Sequence, residues 1–309
     1  MGYDVIGDIH GQANKLRLLL TKLGYTQLGT VWHHPHRKAI FVGDLIDRGP
    51  HQLETLKIVR EMVAHQHALA VLGNHEFNAI AWHTKDPARP GHYLRTRVGD
   101  KGESNFKQHC AFLNEVQHDP ATHEEIVQWF LTLPLWLDLP ELRVIHACWH
   151  PDYMARLKPI LKNGRLDRHL IVAASRKHSA EYQAVETLTK GLEISLPPGI
   201  IFRDKDGTER KEVRVRWWDP EATTFRAAAI LPSKMSKDLP DTPITPPISI
   251  GYTGDKPLFF GHYWMTGTPR VLAPNVACVD YSAGKGGPLV AYRWDGELTL
   301  NDQHFVNSD

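Results

Sequence analysis

The chain has 309 residues, enough for one large core, and its 36 basic against 35 acidic residues leave a net charge of +1. That balance argues against strong non-specific binding to nucleic acid, which calls for a marked basic excess. No run approaches the ~18 apolar residues that span a bilayer, and Met1-Gly2-Tyr3-Asp4 lacks the basic segment and apolar stretch of a leader, so a cytoplasmic protein with no membrane partner is expected.

From the N-terminus, three short apolar runs each end in a glycine-containing loop. Tyr3 to Ile6 leads into Asp8-Ile9-His10-Gly11, Ala39 to Val42 into Gly43-Asp44-Leu45-Ile46-Asp47-Arg48-Gly49, and Leu69 to Leu72 into Gly73-Asn74-His75-Glu76. The runs read as buried strands. Between them Leu16, Leu19, Leu20 and Leu23 share one helical face, as do Leu56, Val59, Met62 and Val63. Strand, helix, strand, helix, strand implies a parallel sheet whose carboxyl ends bring the three loops together.

His33, His34 and His36 read as a solvated loop, and His65 and His67 as the end of a helix. Asp86 to Gln108 is polar, either a solvated loop or one that overhangs the cassettes. Helices are predicted over Cys110 to Gln117 and Thr122 to Leu133, and Leu135 to Leu139 opens a second sheet. Two more strands, Leu142 to Ile145 and Leu258 to Phe260, end at His146 and His262. Between them Asp152 to Leu161, Asp167 to Ser175 and Ala180 to Leu192 predict short helices of a cap inserted at about 151–250 into an otherwise single domain. His150 reads as structural.

Lys205-Asp206-Gly207-Thr208 reads as a turn between the runs Ile200 to Arg203 and Glu212 to Trp217. Alternation then turns Val213, Val215 and Trp217 to the core and leaves Arg214, Arg216 and Trp218 on a basic, aromatic face. Leu231 to Pro247, with five prolines, reads as an extended surface loop. Gly284-Lys285-Gly286-Gly287 lacks the spacing of a phosphate-binding loop and is expected to turn a hairpin between Val276 to Tyr281 and Leu289 to Trp294, with Tyr281 and Lys285 near the site. Cys110, Cys148 and Cys278 form neither a CxxC pair nor a Cys-x5-Arg loop.

The strand-end residues Asp8, His10, Asp44, Asn74, His75, His146 and His262 make a set of oxygen and nitrogen donors without thiolate, which suits manganese, iron or zinc. The succession GD-x-HG, GD-xx-DRG, GNHE, strand-end His-Ala and Gly-His resembles the PPP family of metallophosphatases, in the calcineurin-like superfamily. The likeness runs from residue 3 to about 294 and is weakest between about 150 and 250. It implies an α/β fold, a four-layer αββα sandwich with two stacked mixed sheets. It further implies that Asp8 and His10 hold one divalent metal, Asn74, His146 and His262 a second, with Asp44 bridging, and manganese is the expected pair. By the same resemblance His75 is the general acid, oriented by Asp47, and Arg48 clamps the phosphate. Arg214 or Arg216 is the candidate for a second phosphate contact.

The expected reaction is hydrolysis of a phosphomonoester, in phosphorylated protein or a small phosphate ester, by direct attack of a metal-bound hydroxide. A symmetrical dinucleoside tetraphosphate hydrolase is the alternative, and a noncatalytic phosphate sensor ranks below both. The protein phosphatases of eukaryotes carry Ser-Ala-Pro-Asn-Tyr-Cys where this chain reads Val279-Asp280-Tyr281-Ser282-Ala283-Gly284, which places it nearer the bacterial branch of protein phosphatases and diadenosine tetraphosphatases.

Overall fold

The computed structural model describes residues 2–203, 209–231, 233–245 and 251–309. Two sheets carry the fold. The first has the spatial order Phe305–Asn307, Val290–Trp294, Gly2–Ile6, Arg37–Phe41, Ala68–Ala70, and its last three strands are parallel. The second runs Val276–Cys278, Leu258–Phe260, Arg143–Ile145, Trp136–Asp138, with the first three parallel.

The side-chain period of two explains why these strands read as continuous apolar runs. Ile6, Ala39, Phe41, Leu258, Phe260, Val276 and Cys278 point away from the partner sheet into a core shared with the helices. Val5, Ile40, Phe259, Ala277 and Tyr292, their alternates, meet between the sheets in a second core. Each central strand is therefore buried on both faces, and the layers stack helix, sheet, sheet, helix.

The helices Ala13–Lys22 and Gln52–Ala64 lie where the leucine spacing predicts them. Pro151–Leu157, Arg168–Ala174 and Ala180–Lys190 are helical as well, and Leu157, Ile171, Ala184, Val185 and Leu188 enter the main core. A small separate core lies beyond them. It gathers Ile194, Leu196, Val213, Val215, Phe225, Ala228, Leu239 and Ile244 around the antiparallel ladder Glu193–Ser195 with Glu212–Arg214.

Several expectations need correction. Val276–Cys278 and Val290–Trp294 belong to different sheets, so Gly284 to Gly287 does not turn a hairpin; Ala283–Lys285 is a 3-10 turn that crosses from one layer to the other. Strands buried on both faces give the same apolar run whether they pair or stack, which is why the pattern misled. The Asp86 to Gln108 segment is loop only in its first part, because the helix Gly99–Val116 starts well before Cys110. His33 ends a strand, Val31–His33, of a short hairpin with Thr26–Leu28. Trp218 is buried against Phe260 and Tyr263 rather than displayed with the arginines. The proline-rich segment holds a short helix, Ser233–Ser236, and is pinned by buried Leu239 and Ile244; its residues 246–247 and the turn at Lys205 to Thr208 lie outside the described residues.

Candidate metal centre

All six parallel strands end at one edge of the sandwich, where open α/β sheets form their sites. Backbone bonds tie the loops there: Ile9 and His10 donate to the Asp44 carbonyl at 3.1 and 2.9 Å, Gly49 donates to His10 at 2.9 Å, and Gly261 donates to His146 at 2.8 Å. The resulting turns are tight. His10, Asp44, Asp47, Arg48, His262, Trp264 and Ser282 all have φ between 49° and 73°, a region non-glycine residues occupy only under constraint.

The donors converge with their lone pairs inward. His10 Nδ1 donates to the Ile46 carbonyl at 2.9 Å and His146 Nδ1 to the Val42 carbonyl at 2.7 Å, which leaves each Nε2 as the available lone pair. His146 Nε2 lies 3.3 Å from Asp44 Oδ1 and 3.1 Å from Asn74 Oδ1. Asp8 Oδ2 accepts from the His262 backbone N–H at 3.0 Å. Asp8 Oδ1, His10 Nε2 and both ring nitrogens of His262 are buried with no hydrogen-bond partner. Buried polar atoms are rarely left so, and a cation is the partner that fits Asp8 Oδ1, His10 Nε2 and the one His262 nitrogen that carries a lone pair.

The electrostatics agree. Burial, then Asp280 and Asp44, hold the Asp8 carboxyl well above its usual range, and burial followed by Asp44 lifts Glu76 to about 7. Burial also pushes His10 down to about 3 and His262 well below its ordinary value, so both imidazoles are neutral at physiological pH, the form that can coordinate a metal. Asp44 pulls the other way on its own neighbour: against the effect of burial on each group, it raises His146, whose imidazole in turn holds the Asp44 carboxyl well below its usual range. Among the described residues two groupings have ligand atoms mutually within 4.8 Å, His10 with Asp44 and His75, and Asp44 with His146 and His262. Asp44 belongs to both, as a bridging residue should, while Asp8 stands outside them and His75 inside.

His75 is held from the opposite side. Its Nδ1 is 2.6 Å from Asp47 Oδ2, and the other Asp47 oxygen lies 2.8 Å from His109 Nδ1. Burial alone would lower the His75 pKa, but Asp44 and Asp47 together raise it. Arg48 is exposed beside the centre and stacks its guanidinium 4.6 Å above Trp264, whose ring lies on His10.

Of the two arginines proposed for the far half, Arg214 lines the cavity that opens from Asp44, Asn74, His75 and His262, and ion-pairs with Glu193 at 3.0 Å. Arg216 does not line that cavity. Nor does Tyr281: its hydroxyl accepts from the Arg270 backbone N–H at 3.0 Å and its ring faces Phe305. Lys285 reaches the rim, 3.8 Å above the Trp264 ring. Sequence reasoning overlooked Asp280, which accepts from the Trp264 and Ser282 backbones at 2.7 and 3.0 Å. The clue was available, since Asp280 follows the apolar run Val276 to Val279 just as His262 follows its own strand. Glu76, His109, Trp264 and Arg95 were overlooked too, and for the last three no local pattern announces the role.

Glycine is required at two contacts. Gly43 has φ 98° and a Cβ there would lie 2.6 Å from the Gly73 nitrogen, while a Cβ at Gly261 would collide with Asp8 Oδ1. Gly261→Ala is therefore expected to displace the Asp8 carboxylate and lose at least one metal per chain by elemental analysis. Full metal content in that variant would mean that Asp8 re-seats without consequence.

Residues 1–178 match the family model described as calcineurin-like phosphoesterase. A Bacillus cereus (strain B4264) protein named bis(5'-nucleosyl)-tetraphosphatase (asymmetrical) is 36% identical over 165 residues, which cover 50% of this chain and 61% of that protein. Its Oceanobacillus iheyensis namesake is 32% identical over 149 residues, 48% of this chain and 55% of its own. The chain thus spans a little over half the length of the curated relatives it matches. A protein serine/threonine phosphatase from Saccharomyces cerevisiae superposes with a TM-score of 0.53 at 16% identity, over 99% of this chain and 78% of that one, which speaks for the fold alone. With a family match over more than half its length, this chain belongs to the calcineurin-like phosphoesterase family.

Proposed function

We propose that the chain cleaves dinucleoside polyphosphates, at a centre in which Asp8 and His10 hold one divalent ion, Asn74, His146 and His262 hold another, and Asp44 bridges. The observation that carries the substrate is the cavity itself. It measures about 1090 Å³, and beyond Arg48 its walls carry an excess of cations, Arg95, Lys101, Lys190, Arg210, Lys211 and Arg214, over the carboxylates Glu193, Glu209 and Glu212, the first of which pairs with Arg214. A single phosphoryl group is already served by Arg48 at the centre, whereas a row of cations leading away from it suits a chain of phosphates. Leu196, Phe202, Ile230 and Leu231 give the same cavity an apolar stretch on which a base can lie. The curated relatives named for asymmetrical tetraphosphatase activity support this choice. They also favour unequal cleavage over the symmetrical cleavage that the sequence suggested.

Bound metals, for which manganese is our first choice over iron or zinc, supply an activated water and neutralise charge at phosphorus. The chain's own side chains do the rest. Arg48 grips two phosphate oxygens with its planar fork, its tilt fixed by Trp264. Asp47 takes the Nδ1–H of His75, so that Nε2 presents its proton to the departing oxygen. The antiparallel ladder with Arg214 forms the far wall, which makes the described residues between 193 and 231, more than the three helices before them, the substrate-facing part of the proposed insertion.

The test is a product analysis on manganese-loaded protein offered diadenosine tetraphosphate, phosphoserine peptide and phosphotyrosine peptide. ATP and AMP from the dinucleotide is the expected result. ADP alone would mean symmetrical cleavage, and peptide dephosphorylation with an inert dinucleotide would overturn the proposal in favour of a protein phosphatase.

A further inference from the structure

Next to the catalytic cavity lies a second chamber of about 820 Å³, and the two share Asn78, Arg95, Lys101, Lys190 and Arg210 as a common wall. Seven basic side chains line it against two carboxylates, Asp86 and Glu186. Both carboxylates are already engaged, Asp86 by Arg89 at 2.8 Å and Arg176 at 3.3 Å, and Glu186 by Lys190. Lys101 and Lys177 make no ion pair among the described residues, and neither does Arg95. Its guanidinium donates to two neutral amides, Asn78 Oδ1 and, at 2.7 Å, Gln108 Oε1, and its Nε is buried without a partner.

The crowding is felt within the cluster: burial, then the charges of Arg95, Lys177, Lys190 and Arg210, lower the Lys101 pKa. Arg95, Lys101 and Lys177 thus bring positive charge to the chamber with no carboxylate partner among the described residues, and a concave site focuses that field on a polyanionic ligand. Arg95 stands where the two chambers meet, so a ligand engaging it can extend to either side.

We propose that this second chamber binds the outlying phosphates of an extended polyphosphate substrate, with Arg95 and Lys101 at the junction and Lys177 beyond them. The inference rests on the polyphosphate reading of the catalytic cavity and assigns the place where a long chain continues once its reacting phosphorus is at the metals. Chain length thereby becomes a determinant of affinity, and short phosphate esters leave the chamber unused.

The closing experiment uses inorganic probes on the metal-loaded full chain. Pyrophosphate and tetrapolyphosphate, each as its magnesium complex, are titrated by calorimetry into the wild type and into Arg176→Glu/Lys177→Glu, whose two sites are exposed and line the second chamber but not the catalytic cavity. The wild-type Kd is expected to fall at least about tenfold from pyrophosphate to tetrapolyphosphate, and the double variant to retain under about threefold of that gain. A wild-type Kd that ignores chain length, or a gain that survives the double charge reversal, overturns the chamber's role. If diadenosine tetraphosphate is not turned over while the chain-length gain persists, the dinucleotide is the wrong substrate and the chamber stands.

Discussion

Replacing His75 by alanine is expected to lower kcat on alkyl phosphate esters, whose leaving oxygen needs a proton, by about 10²–10⁴-fold, and far less on a dinucleotide whose leaving group is itself a phosphate, while both metals stay bound. The size follows from the role of a positioned proton donor. Its Nδ1 is committed to Asp47 at 2.6 Å, and Asp47 is in turn held by His109 at 2.8 Å and by the Gln52 side chain, which accepts from its backbone N–H at 2.7 Å. A carboxylate held by His109 on a backbone pinned by Gln52 keeps the imidazole in one orientation. The loss is expected to shrink for esters of acidic alcohols such as p-nitrophenol, whose oxygen departs without a proton.

Metal content decides between this and the competing assignment. His75 shares a ligand grouping with His10 and Asp44, and Asp8 does not. If His75 were a ligand, the alanine variant would lose a metal and its rate would fall alike for every leaving group. Retained metals together with a leaving-group-dependent loss identify it as the acid.

Why the centre was legible from sequence and its surroundings were not has a physical reason. Asp8, Asp44, Asn74, His146 and His262 each follow an apolar run, and a strand buried on both faces leaves few places for polar residues other than its ends. Runs of that kind set the sheets and bring their ends together. His109 lies within the helix Gly99–Val116, where one histidine among 19 carries no local signal, and only tertiary packing brings it to Asp47. Arg216 was weighed equally with Arg214 because alternation puts both on one face; only Arg214 lies in the paired ladder that walls the cavity, whereas Arg216 lies past its end. Trp218 was misplaced for the same reason, since period two no longer applies once the strand has ended.

Glu76→Gln is the substitution expected to cost the fold most, by about 3–5 kcal/mol. The Glu76 side chain is fully buried, and its two oxygens accept three backbone N–H groups: Asp44 at 2.9 Å, Leu45 at 2.8 Å and Gly73 at 3.0 Å. The last of these caps the helix Asn74–His83 at its own first turn, where a carboxylate also meets the positive end of the helix. The first two reach across to the neighbouring strand's loop. One carboxylate thus staples the second cassette to the third and sets the separation of Asp44 from Asn74. Glutamine keeps one acceptor but turns an NH₂ toward N–H donors, leaving at least one of them buried and unpaired. Urea denaturation of the metal-free protein is the decisive measurement. A large fall in the midpoint there shows the staple, because no metal contributes to that equilibrium. A variant as stable as the wild type without metal, yet unable to retain metal, would instead make Glu76 a ligand and return the joining of the two loops to the ions they bind.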